Sequence, residues 1–201
     1  MSQAQLVYRR NEAPSRGLAA TGIFLIKWLL ALPHLIVVGA LQYVAAAVAY
    51  IGFWVVALTG SMPQGISRLL EITFTWNARA YGWLIGLVDE YPPFETDPDY
   101  PITVELPTNE SPNRGLAVTG IFLIKMLLLI PHFVVIIILL VAAAIATWVG
   151  YVAVLFSGSL PAGIQDFLAG VMQWNMRAYA WLVGFTDEYP PFSLEISPRE
   201  D

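Results

Sequence analysis

Pro131–Phe156, PHFVVIIILLVAAAIATWVGYVAVLF, runs for 26 residues with no charge beyond one that His132 can carry. A helix needs about 20 consecutive apolar residues to cross the roughly 30 Å hydrocarbon layer, so this stretch reads as a membrane helix rather than a soluble core element. The rest of the chain agrees. Hydrophobic residues make up 57% and charged residues 12% of 201 positions, and mean hydropathy is +0.64. A soluble domain carries about twice that share of charge. No basic cluster for nucleic acid is present, and the net charge is −5. With no cysteine, disulfides and thiolate metal sites are excluded.

The second feature is a duplication. Residues 14–94 align with 112–192 at a constant offset of 98 without a gap, with about half of the positions identical. Arg16–Lys27 recurs at Arg114–Lys125, Pro33-His34 at Pro131-His132, and Gly60–Ile66 at Gly158–Ile164. Trp76–Leu84 recurs at Trp174–Leu182, and Asp89–Phe94 (DEYPPF) closes each copy again at Asp187–Phe192. A polar segment, 1–13, precedes the first copy; 95–111 is an acidic, proline-rich linker, and 193–201 a polar tail. From Asp89 to Asn113 the chain holds seven acids, six prolines and no base, the composition of an extended connection.

These marks together resemble the bacterial membrane family numbered 4389 among the domains of unknown function, present here as two tandem copies. The resemblance implies a membrane fold and supplies no catalytic residues.

Each repeat reads as three pieces: a short leading helix (17–31) lying in the interface, a transmembrane helix kinked by Pro33 (33–58), and a returning amphipathic helix (64–88). The expected fold is therefore an all-α integral membrane protein. Arg68, Glu71, Thr75, Arg79, Gly82 and Gly86 form one stripe of the third helix, matched by Asp166, Ala169, Gln173, Arg177, Ala180 and Gly184. If this helix returns through the bilayer, four crossings put both termini and the linker on the arginine-rich side. The positive-inside rule makes that side the cytoplasm of a bacterial inner membrane, with the two Gly-Ser-x-Pro turns opposite.

On that placement Arg79 and Arg177 sit near mid-depth beside Asn77 and Asn175, a polar site for a partner helix, a lipid headgroup or a small anion. His34 and His132 offer imidazoles for a haem or pigment, or a hydrogen bond to an acid such as Asp89. Asp89, Glu90, Tyr91 and Phe94, with Asp187, Glu188, Tyr189 and Phe192, read as rigid straps anchored at the membrane surface or on a partner. The paired acids lack the ligand number for a metal. With no nucleophile–base pair and no nucleotide loop, the leading expectation is a non-enzymatic scaffold or accessory subunit without a cofactor. It would contact the lipid bilayer and other membrane subunits or further copies of itself, and no nucleic acid. A small transporter or channel with a polar site between repeats, and a haem- or pigment-binding protein using His34 and His132, are the rivals.

Overall fold

The computed structural model describes residues 3–95 and 99–196. The order of elements is β1 (Gln5–Tyr8), α1 (Arg16–Ile23), α2 (Ile26–Thr59), α3 (Gln64–Leu84), β2 (Ile102–Glu105), α4 (Arg114–Ile121), α5 (Ile124–Leu128), α6 (Ile130–Ser157) and α7 (Ala162–Val183). The fold is thus mostly helical and built from two tandem copies, but it is not all-α. The polar N-terminal segment and the linker each contain a strand, and β1 pairs antiparallel with β2. Short alternation explains why: Leu6 and Ile102 are buried between less buried neighbours, a pattern too brief to stand out in a chain dominated by helix.

Each copy begins with a capped short helix. Ser15 accepts from Leu18 N–H, and Asn113 does the same for Leu116, satisfying donors that a first turn leaves unpaired. The leading helix ends much earlier than 31. It breaks at Phe24-Leu25 and again at Phe122-Leu123, where Leu25 and Leu123 both adopt φ 59°. A side chain in this left-handed region costs about 1–2 kcal/mol, so neither position carries a sequence signal for a turn. After the break α2 runs uninterrupted through Pro33, whereas in the second copy the helix divides at Leu129, two residues before Pro131.

Two helices among the described residues are long and apolar enough to cross a membrane, α2 and α6. Both bury one stripe and expose the rest. In α2 the buried positions are Lys27, Ala31, His34, Val38, Ala45, Ala49, Gly52, Phe53 and Val56, close to the 3.5-residue spacing of a packed seam. Leu29, Ile36, Tyr43, Ile51, Trp54 and Leu58 point outward. The third helices are not among these two. α3 and α7 form the interior of the fold, and the only large hydrophobic residue either one exposes is Tyr81. Their polar, small-residue stripe faces the sheet and the straps: Gln173 bonds Ala4 and Leu6, Asp166 pairs with Arg10, and Ile102 packs against Gly82.

The copies are exchanged. α1 lies along α6, and α4 along α2, so each leading helix is seated on the other repeat. Gly60 and Gly158 end α2 and α6 in the left-handed conformation that glycine adopts freely. Beside them sit the arginines that open the opposite copy. Arg114 donates to Thr59 O at 3.0 Å, and Arg16 lies against Gly158. This corrects the expected sidedness, which put Arg16 and Arg114 across the bilayer from the Gly-Ser-x-Pro turns. Exchange between copies brings them to the same end, something an alignment of one copy on the other cannot reveal.

Candidate functional site

Two equivalent polar assemblies stand out from the apolar interior, each built around a strap and a buried lysine. In the strap of the first copy, Asp89 accepts from Ser15 N–H at 2.6 Å, and Asp187 accepts from Asn113 N–H at 2.8 Å. Both carboxylates therefore sit at the positive end of a leading helix, where a negative charge is favoured. Asp89 is not the partner of His34. The straps hold their own chain. Tyr91 donates to Leu30 O at 2.9 Å and Tyr189 to Leu128 O at 2.7 Å, in each copy the carbonyl three residues before the proline. The missing amide proton of the proline orphans the carbonyl four residues back, Leu29 or Leu127, and the tyrosine bonds the next carbonyl of the same crowded turn. This connects Pro33-His34 to the distant DEYPPF motif and accounts for their joint recurrence. Substituting Phe for Tyr91 or Tyr189 should cost about 1 kcal/mol, measurable by denaturant unfolding in detergent. No change in either variant would show that the carbonyl is served by another donor.

The histidines belong to the same straps. His34 stacks on Phe94 with centroids 3.8 Å apart, and His132 on Phe192 at 3.9 Å. Nδ1 of His34 meets the Tyr91 hydroxyl at 3.0 Å, whereas Nδ1 of His132 accepts from Trp174 Nε1 at 2.9 Å. Each ring is thus enclosed by its own repeat, with one face covered by a phenyl ring. Glu90 and Glu188 lie exposed on the outer side of the straps. Tyr100 closes the first strap by donating to Glu90 O at 2.8 Å; burial pushes its phenol pKa up and keeps the donor protonated.

Arg79 and Arg177 do not form a polar site between repeats. Arg79 donates through Nε to Ile102 O and through Nη1 to Glu95 O, both at 3.2 Å, with its guanidinium over the Tyr100 ring at 4.9 Å. Arg177 donates to Ser193 O and Glu195 O. Each arginine fastens the chain that follows its own strap. The asparagines diverge: Asn77 bonds Gln42 at 3.3 Å across α2 and α3, while Asn175 is exposed and Leu140 replaces the glutamine. Arg68 and Glu71 are exposed, and Asp166 is held by Arg10 rather than by Arg68.

The lysines were the missed residues. Lys27 and Lys125 are 1% and 2% exposed. Lys27 Nζ lies 4.7 Å from the Trp83 ring centroid and 5.1 Å from that of Tyr151. Lys125 repeats this with Trp181 at 4.7 Å and Phe53 at 5.1 Å, and donates to Trp181 O at 2.7 Å. Cation–π contact makes both ammonium groups tolerable in the interior, and Lys125 adds a carbonyl acceptor. One aromatic wall of each cage comes from the other copy, so the cage closes only when the copies are exchanged. The available signal was a single lysine kept at the same place in both apolar leading segments.

Buried lysine cages, capped leading helices and proline-linked straps in duplicate define a duplicated helical protein with two membrane-length apolar helices. Residues 23–95 and 121–193 each match the family model described as a domain of unknown function, DUF4389. Together these matches cover well over half of the chain, and the protein belongs to that family. No curated protein and no solved structure matches it.

Proposed function

We propose that this chain is an integral membrane protein acting as a non-enzymatic scaffold or accessory subunit, with its apolar helices in lipid and its strap side offered to other subunits or a second copy. The observation that carries the reading is the distribution of exposed apolar residues. Phe24 and Leu25 are 73% and 64% exposed, Phe122 and Leu123 70% and 55%, and they continue into the outward faces of α2 and α6. Isolated exposed hydrophobics are ordinary, but a contiguous field of this size needs lipid or protein against it. The buried and duplicated charged groups help to hold the fold: Arg79 and Arg177 through carbonyls that follow the straps, Lys27 and Lys125 against aromatic rings, and Asp89 and Asp187 at helix starts.

Two measurements test this. After alkaline carbonate extraction of native membranes the chain should stay in the membrane fraction; release into the supernatant would remove the integral placement. Native mass spectrometry after mild solubilisation should then find a fixed stoichiometry with a companion or a second copy. A uniformly monomeric, unaccompanied chain would end the scaffold reading while leaving the membrane placement standing.

A further inference from the structure

The duplication has a dyad, and the strands locate it. In the β1–β2 ladder Leu6 lies opposite Val104, and these two residues are separated by the repeat offset of 98. The flanking pairs follow the same rule, since Gln5–Glu105 maps onto Thr103–Val7. The ladder's own dyad is therefore the dyad of the whole duplication, which reaches back beyond Pro14 into β1. Asn11-Glu12-Ala13-Pro14 and Asn109-Glu110-Ser111-Pro112 carry the equivalence in sequence. An axis lying in the membrane plane would hold everything on it at one depth, the middle of the bilayer.

Were the axis in the plane of a bilayer, the sheet would sit at mid-depth, with the exposed Glu105 and the half-exposed Arg10–Asp166 pair in hydrocarbon. Charges at that depth are strongly disfavoured. An axis along the membrane normal instead places the sheet in water and every duplicated motif at matching depth. It also limits the helices. Around the axis α3 and α7 run in opposite senses, Phe74 meeting Tyr179 and Gly82 meeting Met172. Helices exchanged by a dyad can oppose one another only if each tilts more than about 45° from it, so a helix of this length rises less than roughly 22 Å, short of the roughly 30 Å core. Both ends of α2 are tied to this same polar side: Leu30 to Tyr91 of the strap, and Thr59 to Arg114 just after the linker.

We infer that the protein is embedded in a single leaflet, resting on lipid acyl chains through the outer faces of α2 and α6 and the Phe24–Ile26 and Phe122–Ile124 tips, without crossing the bilayer. Exposed Trp28, Trp54 and Trp148 suit the headgroup boundary around such a footprint. The inference rests on the membrane placement proposed above, and replaces the expected four crossings by one-sided insertion.

The chain has no cysteine, so single-cysteine variants at Ser61, Thr108 and Ser159, all exposed, can be labelled with an impermeant maleimide in sealed right-side-out and inside-out vesicles. All three should react in one vesicle type and stay at background in the other. Reaction of Thr108 from one face and of Ser61 or Ser159 from the opposite face would overturn the inference. Bimane placed at Ile36→Cys and Ile138→Cys, where the native residues are 68% and 63% exposed, should be quenched by lipids bearing acyl-chain nitroxides. Bimane insensitive to those lipids means that protein, a second copy above all, covers the face, and lipid is then the wrong occupant. Carbonate release would mark failure of the membrane placement itself, an outcome separate from opposite-face labelling of a chain that stays embedded.

Discussion

Replacing Arg79 by alanine should destabilise the folded chain by about 3 kcal/mol, and Arg177→Ala by about 2–3 kcal/mol, because charge-assisted hydrogen bonds to backbone carbonyls are worth roughly 1.5–3 kcal/mol. Arg79 is 3% exposed and Arg177 8%, so water does not substitute easily. The damage should be local in character. Arg79 holds Glu95 and Ile102, which bracket the connection from strap to strand, so protease cleavage near the linker should rise together with the loss of unfolding free energy in detergent. Lysine at either place keeps the charge but not the planar fork, and should recover less than half of the loss. Arg68→Ala is the control: the side chain is exposed and should leave stability within about 0.5 kcal/mol. If Arg79→Ala matches that control, the strand is held by packing of Leu6 and Ile102 alone.

The same arginine shows how far sequence reasoning reached. Its apolar, aromatic setting and its recurrence in both copies marked it as a group that must be paired, and it is. The partner was not legible, because the acceptors are main-chain carbonyls of the linker and tail, which carry no residue code. Of the helical stripe that runs from Arg68 to Gly86 and recurs from Asp166 to Gly184, Arg79, Gly82 and Gln173 meet the two-stranded sheet, whereas Arg68 and Glu71 are exposed. The duplication, the long apolar helices and the strap motifs were readable from periodicity and repetition. What could not be read was the exchange of leading helices, since hydrophobic periodicity states that a face is buried and not which copy buries it. The breaks at Leu25 and Leu123 were hidden for a related reason, as a leucine forced into a left-handed conformation looks like any other leucine.

Exchange between copies is also the basis of the second large effect, expected for Gly22→Val and Gly120→Val. A Cβ on Gly22 would overlap the Tyr151 ring, and one on Gly120 would lie 2.6 Å from Phe53 Cδ2. Neither ring can retreat easily. Tyr151 is pinned by its hydroxyl, which donates to Leu84 O, and it also presses against Gly86. Phe53 is packed among Val56, Ala117 and Ile121 and reaches Gly184. Overpacking of a tight core costs about 1–3 kcal/mol, and a β-branched residue wedged under a ring belongs at the upper end, so about 3 kcal/mol is expected for each variant. Because the contacts cross between copies, the couplings must cross too. Tyr151→Ala alone should destabilise by about 3–5 kcal/mol, yet in that background Gly22→Val should cost under about 1 kcal/mol, since the obstructing ring is gone. Gly120→Val should keep its full cost there, and lose it only when Phe53 is truncated. Denaturant unfolding of these single and double variants in one detergent reads all the terms. Coupling of Gly22 to Phe53 in place of Tyr151 would mean that each leading helix packs on its own repeat, and both the exchanged fold and the dyad argument for one-sided insertion would have to be abandoned.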